Sequence, residues 1–147
     1  MPTTRASTKN KVVVVQYAAG RRGVPSPRLL RKWARAAAPS QVTIRIVGEG
    51  EGRRLNRSYR KKNYATNVLA FPYGKSRGDV VLCHPVVKRE AHAQGKTLAA
   101  HYAHLVVHGV LHLRGYEHEK KRDAARMEAR EIRILRRVGF GNPYAVE

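Results

Sequence analysis

Three histidines and one glycine in the C-terminal half of the chain have the spacing of a metal site. His108 and His112 are four residues apart, so on a helix their side chains project from one face, with Cβ atoms about 5–6 Å apart. Gly115 allows the helix to end, because glycine adopts the left-handed backbone without steric cost. The chain can then turn back and present His118 as a third ligand. Three protein ligands leave the fourth position of a tetrahedral ion open, which predicts catalysis rather than a scaffold role.

The pattern His-x3-His-x2-Gly-x2-His has the ligand spacing of metzincin proteases but lacks their general base. Gly109 follows the first histidine, where those proteases carry a glutamate that takes a proton. The sequence therefore predicts a hydrolytic metal centre whose base either lies elsewhere or is the metal hydroxide itself. Glu117 and Glu119 flank His118, but we expect them to be exposed turn residues, and no general base is identified.

Other histidines offer alternatives to this ligand set. His104 lies one turn before His108 and could compete as a ligand. Three successive turns of a straight helix do not converge on one point, however, so His118 is preferred. We expect His104 to pack in the core or to hold a ligand in place. His84 and His92 have no partner at ligand spacing, which indicates surface or capping residues.

The charge of the chain indicates a polyanionic partner. The 147 residues fit a single domain, and the net charge is +20 with a pI near 11.1. Nucleic acid is the first candidate partner. A membrane surface is the second, but the basic residues are spread along the chain rather than confined to one amphipathic helix.

Cysteine content and hydropathy favour a cytoplasmic protein. A single cysteine, Cys83, permits no internal disulfide and fits a reducing compartment, and we expect it to pack in the core. Residues 1–10 are expected to be disordered and have no apolar stretch typical of a secretory signal. No apolar run approaches the ~20 residues of a membrane span, so no span is expected, and the spread of the basic residues argues against a membrane partner.

Hydrophobic periodicity predicts one α+β domain over residues 11–147, with a small four-stranded mixed sheet and about five helices. The predicted strands cover 12–17, 42–46, 67–71 and 79–83. The predicted helices cover 27–38, 51–62, 85–95, 98–113 and 120–138. The first two strands should be parallel through a right-handed crossover, and the last two should form a hairpin with a loop over 72–78. The helix over 98–113 carries the histidines and is expected to be buried on nearly all sides.

Two of the predicted helices carry residues that are unusual for their positions. The helix over 51–62 is polar and basic, with only Leu55 and Tyr59 as apolar anchors. In the last helix, Glu131 falls within the apolar stripe, so it either faces inward or lies at the boundary with water.

Arginines and lysines interleaved with tyrosines occupy residues 53–64. Arginine pairs with phosphate through a planar fork, and aromatic rings stack on unpaired bases. Such a run of charged residues most often forms a solvent-exposed helix face. Together with the predicted metal centre and the net charge of +20, however, this segment favours nucleic-acid contact.

The chain from about Leu55 to Tyr144 resembles the YbeY family of bacterial endoribonucleases, also called rRNA maturation factors. Besides the histidine motif, three motifs in the same order carry the resemblance: Leu55-Asn56 with Tyr59-Arg60, Thr66-Asn67-Val68-Leu69-Ala70-Phe71-Pro72, and Gly78-Asp79-Val80. The chain departs from the family at Glu117, where aspartate is common, and at Asn63, where an acidic residue is common.

The resemblance implies a single-domain fold with one bound metal ion, usually zinc, held by His108, His112 and His118. It implies that Arg60 faces the metal cleft and matters for RNA cleavage. It further implies work on ribosomal RNA, notably maturation of the small-subunit RNA 3′ end, and a role in ribosome quality control. Ribosomal proteins and a ribosome-associated GTPase are partners implied only by the resemblance.

The leading hypothesis is hydrolysis of a phosphodiester in single-stranded RNA. Arg60 would neutralise charge on the phosphoryl group. A set of further basic residues would hold the backbone without reading sequence: Arg57, Lys61, Lys62, Lys75 and Arg77. Attack by water and attack by the RNA's own 2′-hydroxyl both remain open.

Two other classes of function compete with this hypothesis. One is an RNA-binding ribosome assembly factor whose metal is structural, which fits the basic surface equally well. The other is a metalloprotease, which Gly109 and the charge disfavour.

Overall fold

The computed structural model describes residues 12–117 and 120–145. In chain order the elements are β1 (Val12–Tyr17), α1 (Pro27–Ala36), β2 (Gln41–Val47), α2 (Glu49–Arg60), β3 (Val68–Gly74), β4 (Arg77–Cys83), α3 (His84–Ala93), α4 (Leu98–Leu113) and α5 (Lys121–Arg137). Four strands and five helices in the described residues confirm the predicted α+β fold. Residues 1–10, which were expected to be disordered, lie outside the described residues.

The sheet has the strand order β1-β2-β4-β3. Strand β2 pairs parallel with both β1 and β4, while β3 runs antiparallel to β4, which confirms both predicted pairings. In the described part of the chain β3 is an edge strand, so its outer edge is not paired with another strand. This open edge forms part of the candidate site described below.

The alternation of side chains along β2 and β4 divides the core into two clusters. Ile44 and Val80 belong to the larger cluster, which α1, α4 and α5 cover. Val81 and Cys83 belong to a smaller cluster with Leu55 of α2. Helix α4, predicted to be buried on nearly all sides, is the central helix of the larger cluster. Cys83 is buried and packs in the core, as expected.

The hairpin differs from the prediction in the length of its strands. Strand β3 extends to Gly74 and β4 begins at Arg77, so the connection contains two residues rather than a loop over 72–78. Pro72 lies inside β3, where the pairing register is irregular between Pro72 and Gly74. A proline, which lacks a backbone donor, is tolerated at an edge strand or a bulge, and this explains why the turn-rich sequence still forms strand.

Helix α2 begins and ends two residues earlier than predicted. It closes at Lys61, whose φ of 61° is left-handed and ends the helix. The buried residues of α2 are Gly52 and Asn56, and the Asn56 Nδ2 donates to the carbonyl of Tyr64 at 2.7 Å. Tyr59 is 52% exposed, so the prediction that it anchors the helix in the core is wrong.

A close approach of α4 to the sheet explains Gly109. A Cβ atom at Gly109 would lie 2.7 Å from Cγ1 of Val80 and 3.2 Å from its Cγ2. Val80 is fully buried and β-branched, so its side chain has little freedom to move aside. The glutamate that metzincins carry at this position therefore has no room here.

Replacing Gly109 with alanine should destabilise the fold by about 1–3 kcal/mol, because the added methyl overpacks the α4–β4 contact. Urea unfolding followed by circular dichroism measures the change. Gly50→Ala is the matched control, since a Cβ there would meet only Arg54 Nη1 at 3.7 Å and should leave stability unchanged or slightly raised. An equally stable Gly109→Ala variant would contradict the close contact.

Candidate metal centre

Helix α4 presents the two histidines that the sequence singled out. Thr97 caps the helix, its hydroxyl accepting from the backbone N–H of Ala100 at 3.1 Å, and Gly115 follows the helix end with a φ of 95°. His108 Nε2 lies 3.1 Å from His112 Nε2. A tetrahedral zinc ion holds nitrogen ligands at about 2.0–2.1 Å, which places two of them about 3.3 Å apart. The pair therefore has nearly the spacing that one ion requires.

The ring of His108 is held on its other side by a buried carboxylate. Glu131 of α5 has no exposed surface, and its Oε2 lies 2.5 Å from His108 Nδ1. An ionised carboxylate only accepts hydrogen bonds, so Nδ1 carries a proton, and Nε2 is the nitrogen through which the neutral imidazole can bind a metal. Metal-binding histidines usually donate their second nitrogen to a carboxylate in this way. Glu131 thus faces inward, which decides between the two interpretations of its position.

Two further side chains contact the Glu131 carboxylate. The Tyr144 hydroxyl donates to Glu131 Oε1, and His104 Nε2 lies 3.4 Å from the same oxygen. Burial alone would raise the pKa of the Glu131 carboxyl. Hydrogen bonds from His104, His108 and Tyr144 outweigh burial and lower this pKa to about 2. The carboxylate is therefore charged whenever the protein is folded near neutral pH. His104 lies beside this carboxylate, and its ring also meets that of His108 edge-on, with centroids 6.1 Å apart.

A second group of possible metal ligands also includes His108. His104, His108 and Glu131 can each offer one ligand atom, and these atoms lie within 4.8 Å of one another, so the group could hold a metal ion. Yet two ligands of one tetrahedral ion would be about 3.3 Å apart, whereas Glu131 and His108 are in direct hydrogen-bond contact at 2.5 Å. This distance favours Glu131 as the partner of His108 rather than as a fellow ligand. His118, the third predicted ligand, lies outside the described residues.

The two histidines open onto a cleft of about 530 Å³. Its described lining comes from the end of α2, the region of β3, the C-terminal half of α4 and the turn after it: Tyr59, Arg60, Thr66, Asn67, Val68, Leu69, Ala70, Pro72, His108, Gly109, His112 and Glu117. Arg60 therefore borders the same cavity as the histidines. Glu117 is exposed, as predicted, but at the cleft rather than away from it, and Glu119 lies outside the described residues.

The other residues predicted to contact RNA are all exposed. They are Arg57, Lys61, Lys62, Lys75 and Arg77. Arg57 and Lys61 are near Arg60 in sequence, Lys75 belongs to the two-residue hairpin connection, and Arg77 begins β4. None of the five is among the described residues that line the cleft.

Two buried polar networks were missed by sequence reasoning. Asn67 of the cleft wall donates from Nδ2 to Glu90 Oε1 at 3.0 Å, and the same oxygen lies 2.8 Å from His101 Nε2. His84, expected to be a surface or capping residue, is the first residue of α3 and is half-buried, and its Nδ1 lies 2.7 Å from the Tyr102 hydroxyl. Each contact joins residues on different elements, so local periodicity carried no signal for it.

Together these features define the class of protein. A small α+β domain with a cleft lined by Arg60 and by paired imidazoles that could hold a metal ion has an arrangement that suits a nucleic-acid hydrolase. The chain belongs to the YbeY endoribonuclease family. The family model described as endoribonuclease YbeY matches residues 27–139. The resemblance found in the motifs is thereby confirmed.

Individual relatives agree with this assignment. The chain is 51% identical over 150 residues to endoribonuclease YbeY of Aromatoleum aromaticum, covering 97% of each chain. It is 55% identical over 132 residues to endoribonuclease YbeY of Burkholderia cenocepacia, covering 84% of this chain and 77% of that one. The solution structure of TM1509 from Thermotoga maritima has a TM-score of 0.59 at 22% identity, covers 92% of this chain and 100% of its own, and shows the same fold.

Among the described helices, none combines the length and the hydropathy needed to cross a bilayer.

Replacing Glu131 with alanine should weaken zinc binding by about 10–100-fold, because His108 loses the partner that fixes its orientation and tautomer. Glu131→Gln should lose much less, since an amide oxygen still accepts from Nδ1–H. Competition with a chromophoric chelator measures both affinities. Glu49→Ala, which removes an exposed acid at the start of α2 that is not among the described cleft residues, is the control and should bind zinc normally.

Equal, large losses in Glu131→Gln and Glu131→Ala would instead identify Glu131 as a ligand, and unchanged affinity in both would remove it from the metal centre.

Proposed function

We propose that this endoribonuclease is metal-dependent, acts on single-stranded segments of ribosomal RNA, and contributes to maturation of the small-subunit RNA 3′ end and to ribosome quality control. The observation that carries the proposal is the 3.1 Å approach of His108 Nε2 to His112 Nε2 at the wall of a cleft that Arg60 also lines. Family membership supports the reaction class, which is hydrolysis of phosphodiester bonds. Its partner is then the small ribosomal subunit, and ribosomal proteins and a ribosome-associated GTPase are further candidates.

His108, His112 and His118 are the proposed ligands of one zinc ion. The donor set fits zinc, because imidazole nitrogens are among its common ligands and Glu131 keeps the Nε2 lone pair of His108 available. When bound, such an ion supplies Lewis-acid polarisation of the reacting oxygens. The remaining work of binding and orienting the RNA falls to the side chains of the cleft.

Arg60 is the proposed stabiliser of the transition state. Its guanidinium can donate two parallel hydrogen bonds to a phosphoryl group, and charge that develops there is best met by a donor already in place. The exposed side chains of Arg57, Lys61, Lys62, Lys75 and Arg77 are proposed to hold the RNA backbone. The cytoplasm is the proposed location, since it is where ribosomal RNA is processed and where the lone Cys83 stays reduced.

The charge of +20 also supports a second function, that of an RNA-binding assembly factor whose metal is structural. His112→Ala and Arg60→Ala separate the two functions. A catalytic site requires that both variants stay folded and RNA-bound but lose cleavage. A structural metal requires that His112→Ala unfolds the protein. A protease is disfavoured because no glutamate fits at Gly109.

Removing the metal should abolish cleavage of a single-stranded RNA. The purified protein should contain about one equivalent of zinc by mass spectrometry, lose activity on dialysis against a chelator, and recover it on addition of zinc. End analysis of the products then distinguishes a 2′,3′-cyclic phosphate from a 5′-phosphate, and so the 2′-hydroxyl from water as the nucleophile. Full activity in demetallated protein would contradict the proposal.

Arg60→Ala should lower kcat by about 10²–10³-fold with little change in RNA affinity, because the guanidinium acts on charge that develops only in the transition state. Single-turnover cleavage and fluorescence anisotropy measure the two quantities. Arg53→Ala is the matched control, since Arg53 is an exposed arginine of the same helix that is not among the cleft residues. If both variants cleave equally well, Arg60 has no catalytic part.

A further inference from the structure

Tyr59 is a large aromatic side chain that the fold leaves uncovered at the cleft. It lies in the last turn of α2 beside Arg60, is 52% exposed, and lines the same cavity as His108 and His112. The side of α2 that packs on the sheet is formed by other residues, among them Gly52 and Asn56. Packing in the hydrophobic core therefore does not explain why Tyr59 occupies this position.

One neighbouring ring holds Tyr59 in place. Its ring centroid is 4.4 Å from that of Phe71 on β3, with the two planes tilted by 57°. Phe71 is half-buried and packs against the smaller core cluster, so it is a fixed support. A ring held by such a contact loses little conformational freedom when it binds a ligand, which favours binding.

The charge of the chain segments near Tyr59 favours one kind of ligand. From residue 53 to residue 78 the chain contains no acidic residue and eight basic ones: Arg53, Arg54, Arg57, Arg60, Lys61, Lys62, Lys75 and Arg77. Glu117 is the one acidic residue among the described cleft residues, and Arg60 lines the same cavity. A ligand for this region must carry negative charge together with a flat apolar face. A nucleotide of a single strand has both, because its phosphate meets the arginines and its unstacked base can lie on an aromatic ring.

We propose that Tyr59 forms a stacking site for one unpaired nucleobase of the RNA, a role that depends on the RNA-cleaving function proposed above. The base lies on the ring of Tyr59 while its neighbouring phosphate reaches Arg60 and the histidines. In a duplex both faces of each base are already stacked on neighbours. Tyr59 therefore contributes to the preference of the protein for single-stranded over duplex RNA. Because any base can stack on the ring, Tyr59 does not distinguish one base from another.

Other exposed tyrosines lack this combination. Tyr73 is 68% exposed, but its hydroxyl donates to Asp79 and it is not among the described cleft residues. Tyr64 is 57% exposed and is likewise absent from the described cleft lining, which makes it a matched control.

The test combines substitutions of Tyr59 with RNA lacking single bases. A single-stranded oligonucleotide with one mapped cleavage site is prepared intact and as a series with one abasic position each. For wild-type protein, kcat/KM should fall by about tenfold or more at one position near the cut. Tyr59→Leu, which keeps apolar contact with Phe71, should lower kcat/KM on intact RNA similarly and show no further loss at that position. Tyr59→Phe and Tyr64→Leu should behave as wild type.

A stacking role differs from a structural role in one result: when Tyr59 is replaced, removing the base should cause no further loss of kcat/KM. If Tyr59→Leu cleaves intact RNA as well as wild type does, or keeps the full abasic sensitivity, Tyr59 is not a stacking site. Either result leaves the proposed endoribonuclease function standing, because wild-type cleavage is measured in the same experiment. Absence of cleavage by wild-type protein would overturn the proposed function and the stacking site with it.

Discussion

The buried carboxylate of Glu131 is the constraint on which the candidate site depends. An ionised carboxylate with no exposed surface costs several kcal/mol unless hydrogen bonds compensate it. His108 on α4 and Tyr144 near the C-terminus provide those bonds, and His104 lies beside them. The same contacts that satisfy the charge thus tie α5 and the C-terminal segment to α4. They also fix the imidazole of His108 with its Nε2 toward His112.

The position of α4 against the sheet determines where these imidazoles open. Because Gly109 has no side chain, α4 packs closely on Val80 of β4 and on the neighbouring β3. Strand β3 is the sheet edge in the described residues, so no further strand covers this side. The end of α2 approaches the same edge and brings Arg60 and Tyr59 to it. Arg60, Tyr59 and a pair of imidazoles therefore share one cleft.

Much of this arrangement follows from local sequence patterns. The four-residue spacing of His108 and His112 predicts a shared helix face, and the alternating strands predict the mixed sheet, because both depend on neighbours along the chain. The apolar stripe of α5 places Glu131 near the core, but not beside His108, which is 23 residues away. Periodicity likewise misplaced Tyr59 in the core and shortened β3, since edge position and packing between elements are set by the tertiary fold. Arg60 was distinguished from the other arginines by family resemblance, not by the charge pattern.

The coordination of the bound metal tests this account most directly. A crystal structure of the zinc-loaded protein, with the ion located by anomalous scattering, gives the ligand atoms themselves. The account predicts Nε2 of His108 and of His112 and a nitrogen of His118 at about 2.0–2.1 Å from the ion, an open fourth position toward Arg60, and Glu131 on Nδ1 of His108. An ion bound instead by His104 and the Glu131 carboxylate, or a fourth protein side chain that closes the site, would contradict it.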